Sequence, residues 1–168
     1  MTNTMTDIRP GTYTIDPARS AVRFTATHVF GLKPVDGTMA VRSGTLMVAE
    51  EVHRSTVSAE IDAASWQTDD AKRDRDVRGK RFLDTERHPV IGFRSTHLVR
   101  GADGWQIAGV LSVRGGSAEV LLDVTEIAPA SDGYRCTAKA RVDRVAAGVG
   151  GGRAIIGRHV DVTLTVYV

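Results

Sequence analysis

The chain has 168 residues, 42% of them hydrophobic and 25% charged, which is typical of one globular domain and excludes a disordered or membrane-embedded chain. Its 22 basic and 20 acidic residues are interleaved and give a net charge of +2, so no nucleic-acid partner is predicted. The one cysteine, Cys136, excludes an internal disulfide and suits a reducing compartment.

The N-terminal segment is polar and has neither the basic start nor the apolar run of a secretion signal. No run of residues is long and apolar enough to form an integral membrane segment. We therefore expect a cytoplasmic protein with a flexible N-terminal tail over residues 1–11 and a single domain over residues 12–168.

The dominant pattern is alternation of apolar and polar residues, which places successive side chains on opposite faces of a β-strand. It starts at Val22, recurs around Val57 and Trp105, and is longest over residues 134–143 and 160–168. Strands with one apolar and one polar face indicate an antiparallel sheet with a dry side.

Turn-forming residues separate the alternating runs. They are Asp16-Pro17, Gly31, Asp36-Gly37, Asp103-Gly104, Gly115-Gly116 and Asp132-Gly133. Because Asp103-Gly104 and Asp132-Gly133 lie between alternating runs, we expect β-hairpins there.

One charged segment, residues 69–80, does not alternate and predicts a short helix. Asp69 or Asp70 would cap its start and Gly79 would end it. Its acid-first pairs at i,i+4 spacing are Asp74–Arg78 and Asp76–Lys80. The segment is either a solvated connection or a lid beside the mouth of a barrel.

Eight or nine strands with one helical insert predict an all-β, antiparallel barrel or sandwich. Closure into a barrel removes exposed strand edges, and about eight strands leave room for one small ligand. Small inward positions such as Ala26, Ala59 and Gly109 suit either close sheet packing or a cavity.

Nine apolar, aromatic or histidine positions are predicted to line a lumen, although most would equally serve as plain core. They are Phe24, His28, Trp66, Ile91, Phe93, Trp105, Ile107, Leu111 and Val113. His28 follows the apolar face of its strand to the rim, and Trp66 lies just before the charged segment, where its N–H needs a partner if buried.

The five histidines lack the spacing of a metal site, and Cys136 has no catalytic partner near it in the sequence. We therefore predict no catalytic residues and no metal. Two alternatives stay open: an enzyme acting on a small lipid-like substrate with His28 as acid or base, and a purely structural barrel with a filled core.

Five strings of residues, in this order and spacing, resemble the YceI-like family of polyisoprenoid-binding, lipocalin-like barrel proteins. They are YTIDPARS at 13–20, IDAAS at 61–65, Arg73-Asp74, PVIGFRS at 89–95 and GVLSVRG at 109–115. The resemblance covers roughly residues 12–168. It implies a lumen that holds a long isoprenoid or isoprenoid quinone, often in a homodimer, with no established catalytic residues and no required cofactor.

The sequence departs from that family where an aromatic-Gly-apolar motif is usual, since it has Ala147-Gly148-Val149. The resemblance then implies a wider pocket or a missing ligand contact at this point. Our functional prediction is binding of a long-chain isoprenoid or similar apolar lipid in the lumen, as carrier, store or sensor, without catalysis.

Overall fold

The computed structural model describes residues 7–28, 33–101, 104–150 and 156–168. Within these ranges it contains nine β-strands and one α-helix. The strands are β1 (Gly11–Thr14), β2 (Ala21–His28), β3 (Lys33–Val48), β4 (Thr56–Asp62), β5 (Val90–Gly101), β6 (Gly104–Val113), β7 (Gly116–Ala130), β8 (Gly133–Asp143) and β9 (Ile156–Tyr167). The helix is α1 (Ala71–Arg78), and short 3-10 turns cover Val52–Arg54 and Ala63–Ser65.

Strands β2 to β9 form a closed antiparallel barrel, as the alternation and the resemblance predicted. The barrel closes because β3 pairs with both β2 and β4: its first half pairs with β2, and its second half pairs with β4. A register shift between Val41 and Ser43 lies near the start of the pairing with β4. The four-residue β1 pairs with the far end of β3 and extends the sheet there.

The apolar and polar faces predicted for the two C-terminal strands are the inner and outer faces of the barrel. Ala138 and Ala140 on β8 lie opposite Leu164 and Val162 on β9, and all four face inward. On the outer face of the same strands, Arg141 pairs with Asp161 at 2.9 Å. Alternation thus separates an apolar interior from a polar exterior.

The predicted turn at Asp36-Gly37 is wrong, because both residues lie inside β3. Gly37 is opposite Phe24, and a Cβ at Gly37 would lie 2.2 Å from Cζ of that ring. The Asp36 carboxylate accepts a hydrogen bond from the Thr25 hydroxyl on the neighbouring strand at 2.7 Å. Glycine is therefore required here by close packing within a sheet and not by a turn.

The turn predicted at Gly115-Gly116 is present but lies one residue earlier, and it joins β6 to β7 as a hairpin. Arg114 and Gly115 both have positive φ, 52° and 73°, and Gly116 is the first residue of β7. A two-residue turn with both φ values positive matches the twist of the flanking strands. The hairpin expected at Asp132-Gly133 joins β7 to β8, but its two turn residues are Ser131 and Asp132, and Gly133 is the first residue of β8. Gly31 and Asp103 lie outside the described residues.

Helix α1 occupies the middle of the predicted helical segment and begins and ends where its caps were expected. The Asp70 carboxylate accepts from the backbone N–H groups of Lys72 and Arg73, and Gly79 follows the last helical residue. The predicted i,i+4 ion pairs are absent from these described residues. Asp74 is instead buried and accepts from the Thr68 backbone N–H and hydroxyl, so its carboxylate ties α1 to the preceding segment.

The segment just before β1 is hydrogen-bonded to the barrel through Arg9. The Tyr13 hydroxyl donates to the Arg9 carbonyl at 2.6 Å, and the Arg9 N–H donates to the Tyr134 hydroxyl at 3.3 Å. Gly11, the last residue of the predicted tail, is the first residue of β1. Within the described ranges, no helix has the length and hydrophobicity needed to cross a bilayer.

Replacing Gly37 by alanine is expected to lower the free energy of unfolding by about 1–3 kcal/mol, because the new Cβ overlaps the Phe24 ring. Gly92→Ala is the matched control, since its Cβ would have no neighbour nearer than 3.9 Å. Denaturant titration of both variants measures the difference. Equal midpoints for the two variants would contradict the assigned packing of Phe24 over Gly37.

Candidate functional site

The barrel encloses a cavity of about 960 Å³ that the protein's own side chains do not fill. Its wall is apolar because the inward positions of all eight barrel strands carry apolar residues. One from each strand in chain order is Val22, Val35, Ala59, Ile91, Leu111, Leu122, Ala138 and Val162. The alternative of a barrel with a filled core is therefore wrong.

The structure brings eight of the nine predicted lumen residues to the wall of this cavity. They are Phe24, Trp66, Ile91, Phe93, Trp105, Ile107, Leu111 and Val113. The ninth, His28, is the last residue of β2 and pairs with Ile156 after a register shift, but its side chain lies outside the described residues.

Several wall residues were not predicted, for two different reasons. Leu122, Val162 and Leu164 obey the simple alternation and could have been found by it. Leu98 and Ile127 could not, because a β-bulge precedes each one and shifts the inward face by one residue. Counting in steps of two from Phe93 or Val124 gives the wrong face beyond the bulge.

Two aromatic rings lie against glycines of the barrel wall. The Phe24 ring covers Gly37 and stacks on Trp66 with ring centroids 3.8 Å apart and an interplanar angle of 19°. The Phe93 ring covers Gly109, where a Cβ would lie 2.5 Å from the ring. Each ring lies against the wall, in the space that the side chain of a larger residue would fill at the glycine position. The centre of the barrel therefore stays open.

Among the residues that the structure describes, the charged ones of the cavity wall lie at the two ends of the barrel. At the end where α1 joins β4 to β5, which we call the α1 end, they are Asp70, Lys72, Arg73, Asp76, Arg81 and Arg144. At the opposite end, beside the β3–β4 connection and the N-terminal segment, they are Asp7 and Glu50. The length of the lumen between these ends is apolar.

The α1 connection closes over part of the lumen and is not a fully solvated link. Val77, Phe82 and Leu83 from this connection pack against the core or belong to it, and all three line the cavity. Arg114 from the β6–β7 turn donates to the Phe82 carbonyl at 2.7 Å. Of the two interpretations drawn from the sequence, the geometry matches a lid beside the mouth.

Trp66 is held at the α1 end by contacts on both sides of its backbone. Arg78 Nε donates to the Trp66 carbonyl at 3.1 Å, so this arginine has a structural role. The next residue, Gln67, exchanges backbone hydrogen bonds of 2.9 and 3.0 Å with Thr38 on β3. The indole Nε1 is buried and has no acceptor among the described residues.

The Arg73-Asp74 string of the family resemblance has a structural role here. The Asp74 carboxylate holds Thr68, while Arg73 Nη1 lies 3.4 Å from Asp69 Oδ1. Backbone N–H donation from Arg73 to the Asp70 carboxylate keeps the pKa of Asp70 below its usual value. These contacts order the α1 connection relative to Trp66.

Ala147, the first residue of the Ala147-Gly148-Val149 string, lies in the cavity wall at the α1 end. It is 1% exposed to solvent and is followed by Gly148, whose φ is +101°. The neighbouring Arg144 is also buried and donates to the Val149 carbonyl at 2.8 Å.

The thiol of Cys136 lies in the cavity wall toward the opposite end, where β8 pairs with Val166. Burial raises the pKa of this thiol to about 11. It is therefore protonated near neutral pH and is a poor nucleophile. The four histidines with described side chains, His53, His88, His97 and His159, are not in the cavity wall.

Within the described ranges, no group of three or more histidine, cysteine, aspartate or glutamate side chains is close enough together to hold a metal ion. The arrangement at hand is an apolar tube with polar ends. Its chemistry is that of binding an elongated apolar molecule.

Comparison of solved structures gives neighbours with the same fold. Burkholderia cenocepacia BcnA superposes with a TM-score of 0.76 at 20% identity, covering 90% of this chain and 98% of BcnA. A domain from Saccharophagus degradans, described as polyisoprenoid-binding and implicated in plant cell wall breakdown, has a TM-score of 0.61 at 12% identity and covers 91% and 95% of the two chains.

Sequence comparison gives relatives called UPF0312 proteins. That of Serratia proteamaculans is 32% identical over 85 residues, which is 49% of this chain and 44% of the relative. Those of Yersinia pestis and Yersinia pseudotuberculosis are 33% identical over 82 residues, 47% of this chain and 43% of each relative. The aligned segment thus spans less than half of these relatives. The model of the YceI-like domain matches residues 13–168, and the chain therefore belongs to the YceI-like family.

Proposed function

We propose that this chain binds a long-chain isoprenoid, or a similar apolar lipid, inside the barrel and acts as a carrier, store or sensor without catalysing a reaction. The observation that carries the proposal is the apolar cavity of about 960 Å³ along the barrel. No cofactor is required, and an isoprenoid quinone is one ligand of the proposed class.

The size of the cavity favours a lipid over a small metabolite. At roughly 30 Å³ for each non-hydrogen atom, 960 Å³ accommodates on the order of thirty atoms. Burial stabilises an apolar chain by about 0.8 kcal/mol per methylene, so about twenty methylenes contribute roughly 16 kcal/mol. This exceeds the roughly 4–15 kcal/mol that association costs, and no strong polar contact is needed for binding.

Two further observations support a binding function without catalysis. The Saccharophagus degradans neighbour with the same fold is described as a polyisoprenoid-binding domain. The one thiol of the described cavity wall, Cys136, has a pKa of about 11 and is held in its unreactive form. No observation favours the enzymatic alternative based on His28.

A cytoplasmic location and a homodimer are parts of the same proposal. A single thiol that forms no internal disulfide suits a reducing compartment. Leu121 and Val99 are 46% and 42% exposed on the outer wall and are positions that a second copy would cover. Light scattering of the purified protein measures the oligomeric state.

The direct test of the function is organic extraction of purified protein, followed by mass spectrometry and by titration with tritiated geranylgeraniol. We expect an isoprenoid or other long-chain lipid in the extract, or saturable uptake of the added alcohol. Empty extracts from several expression hosts, together with no uptake, would contradict the proposal.

Filling the lumen is expected to abolish binding without unfolding the barrel. The double variant Ala138→Phe/Ala140→Phe places two rings inside the cavity and is expected to weaken geranylgeraniol binding at least tenfold, roughly 1.4 kcal/mol. Lys139→Phe/Arg141→Phe is the matched control, since these exposed neighbours lie on the outer face of the same strand. An equal loss in both variants would mean that the ligand is not in the lumen.

Cys136 reports on lumen occupancy through its reaction with iodoacetamide. Because the thiol pKa is raised to about 11, the thiolate fraction and the rate should rise about tenfold per pH unit between about pH 7 and pH 10. Bound geranylgeraniol should slow the reaction at every pH. Unfolded protein is the control, with a rate that is half-maximal at a pH of about 8.5 and levels off above it. A similar plateau in folded protein, or no protection by the lipid, would contradict this assignment.

A further inference from the structure

We propose that the lipid enters and leaves the lumen at the end opposite α1, through a gate formed by the N-terminal segment, residues 7–10. In the closed form that the structure shows, Tyr134 on β8 holds this segment against the barrel. The inference rests on the proposed lipid-binding function and adds to it the place of ligand exchange. A ligand enclosed by a barrel needs such a portal, because strands joined by ladders of hydrogen bonds rarely separate.

The first observation is that the N-terminal segment forms part of the lumen wall. Asp7, Ile8 and Pro10 line the cavity at the end opposite α1. Ile8 is half-buried, whereas Asp7, Arg9 and Pro10 are exposed to solvent. Among the described residues, a single layer of chain thus separates the apolar lumen from water here. Displacement of that layer would open the lumen to the outside.

The second observation is that few polar contacts hold this segment. In the part of the chain that the structure describes, residues 7–10 make no backbone–backbone hydrogen bond with the barrel. The Arg9 N–H donates to the Tyr134 hydroxyl at 3.3 Å, and the Arg9 carbonyl accepts from the Tyr13 hydroxyl at 2.6 Å. Tyr13 is on β1, so of these two bonds only the one to Tyr134 crosses to β8.

The third observation is a seam in the barrel wall beside this segment. Among the described strands, β1 pairs with β3 alone, so its other edge carries no ladder. The Asp16 N–H donates to the Tyr167 carbonyl of β9 at 2.8 Å. Nearer the start of the chain, the Tyr13 ring meets the Tyr134 ring edge-on, with centroids 5.7 Å apart. Val168 lines the cavity beside the seam, and opening the seam breaks no ladder.

These contacts predict how the gate behaves. Opening breaks one long hydrogen bond and one ring contact and exposes Ile8, and segments held by so few contacts open far more often than the strands around them. Tyr134 is not among the described wall residues, so it controls the gate without touching the ligand. Because the gate closes over the empty and the loaded lumen alike, loosening it should speed entry and exit equally and leave the affinity unchanged.

The gate is tested by measuring exchange of tritiated geranylgeraniol in Tyr134→Phe. Release is followed after dilution into excess unlabelled alcohol, and uptake and equilibrium affinity are measured separately. The variant keeps the ring that meets Tyr13 but removes the acceptor of the Arg9 N–H. Release and uptake are expected to become roughly three- to tenfold faster, while the affinity changes less than about twofold.

Two control variants separate the gate from a general loosening of the barrel. Tyr167→Phe removes a hydroxyl at the same end, where the ring lies under Arg19, and should leave both rates unchanged. Arg114→Met removes the donor to the Phe82 carbonyl and loosens the α1 connection, and it should also leave them unchanged. The inference is overturned if exchange is faster in Arg114→Met but not in Tyr134→Phe, or if Tyr134→Phe lowers the affinity without speeding either rate.

Cys136 gives a readout that needs no ligand. It lies in the cavity wall on β8, two residues from Tyr134, and opening of the gate exposes it to reagent in solution. Iodoacetamide should modify it roughly three- to tenfold faster in Tyr134→Phe than in wild-type protein, and at the wild-type rate in Tyr167→Phe. Equal rates in all three proteins would count against a gate at this end.

Locking the gate should have the opposite effect. Arg9→Cys/Tyr134→Cys in a Cys136→Ala background has one thiol on each side of the seam, and a short bismaleimide joins them after the lipid is loaded. Cross-linked protein is expected to release the lipid at least tenfold more slowly than the same variant with both thiols capped by N-ethylmaleimide. Equal release overturns the gate while the lipid-binding function stands, whereas failure of wild-type protein to bind geranylgeraniol overturns both.

Discussion

The lumen depends on the pairing of one strand with two partners. β3 is sixteen residues long, and it pairs with β2 through its first half and with β4 through its second half. A sheet closed in this way has no interior edge, and eight strands enclose more space than their inward side chains fill when several of these are small. Without this pairing the apolar faces would lie open to water.

Glycine and aromatic residues together decide how much of the enclosed space stays open. Phe24 lies over Gly37 and Phe93 lies over Gly109, so each large ring occupies the place of a missing side chain in the wall. The lumen is therefore a consequence of small residues at defined positions.

The α1 connection shows how a strongly charged segment can serve a buried site. In the sequence, Asp74 and Arg78 have the spacing of a solvated ion pair. In the structure, the Asp74 carboxylate accepts from Thr68 and the Arg78 guanidinium donates to the Trp66 carbonyl, so both side chains stabilise the residues around the mouth of the barrel. Other charges of the same segment, Lys72 and Asp76, reach the cavity wall. Polar side chains thus position an indole in an otherwise apolar site.

Local sequence is enough to predict the all-β class, the antiparallel hairpins, the helical insert and most of the inward positions, because period-two alternation is a local property of a strand. It does not predict which residues face inward beyond a bulge, such as Leu98 and Ile127, since one extra residue reverses the alternation. The sequence around Gly37 predicts a turn, because the structural reason for this glycine, the ring of Phe24, comes from another strand. The unfilled lumen and the unpaired N–H of Trp66 also depend on distances between strands and connections far apart in the chain, which no local pattern contains.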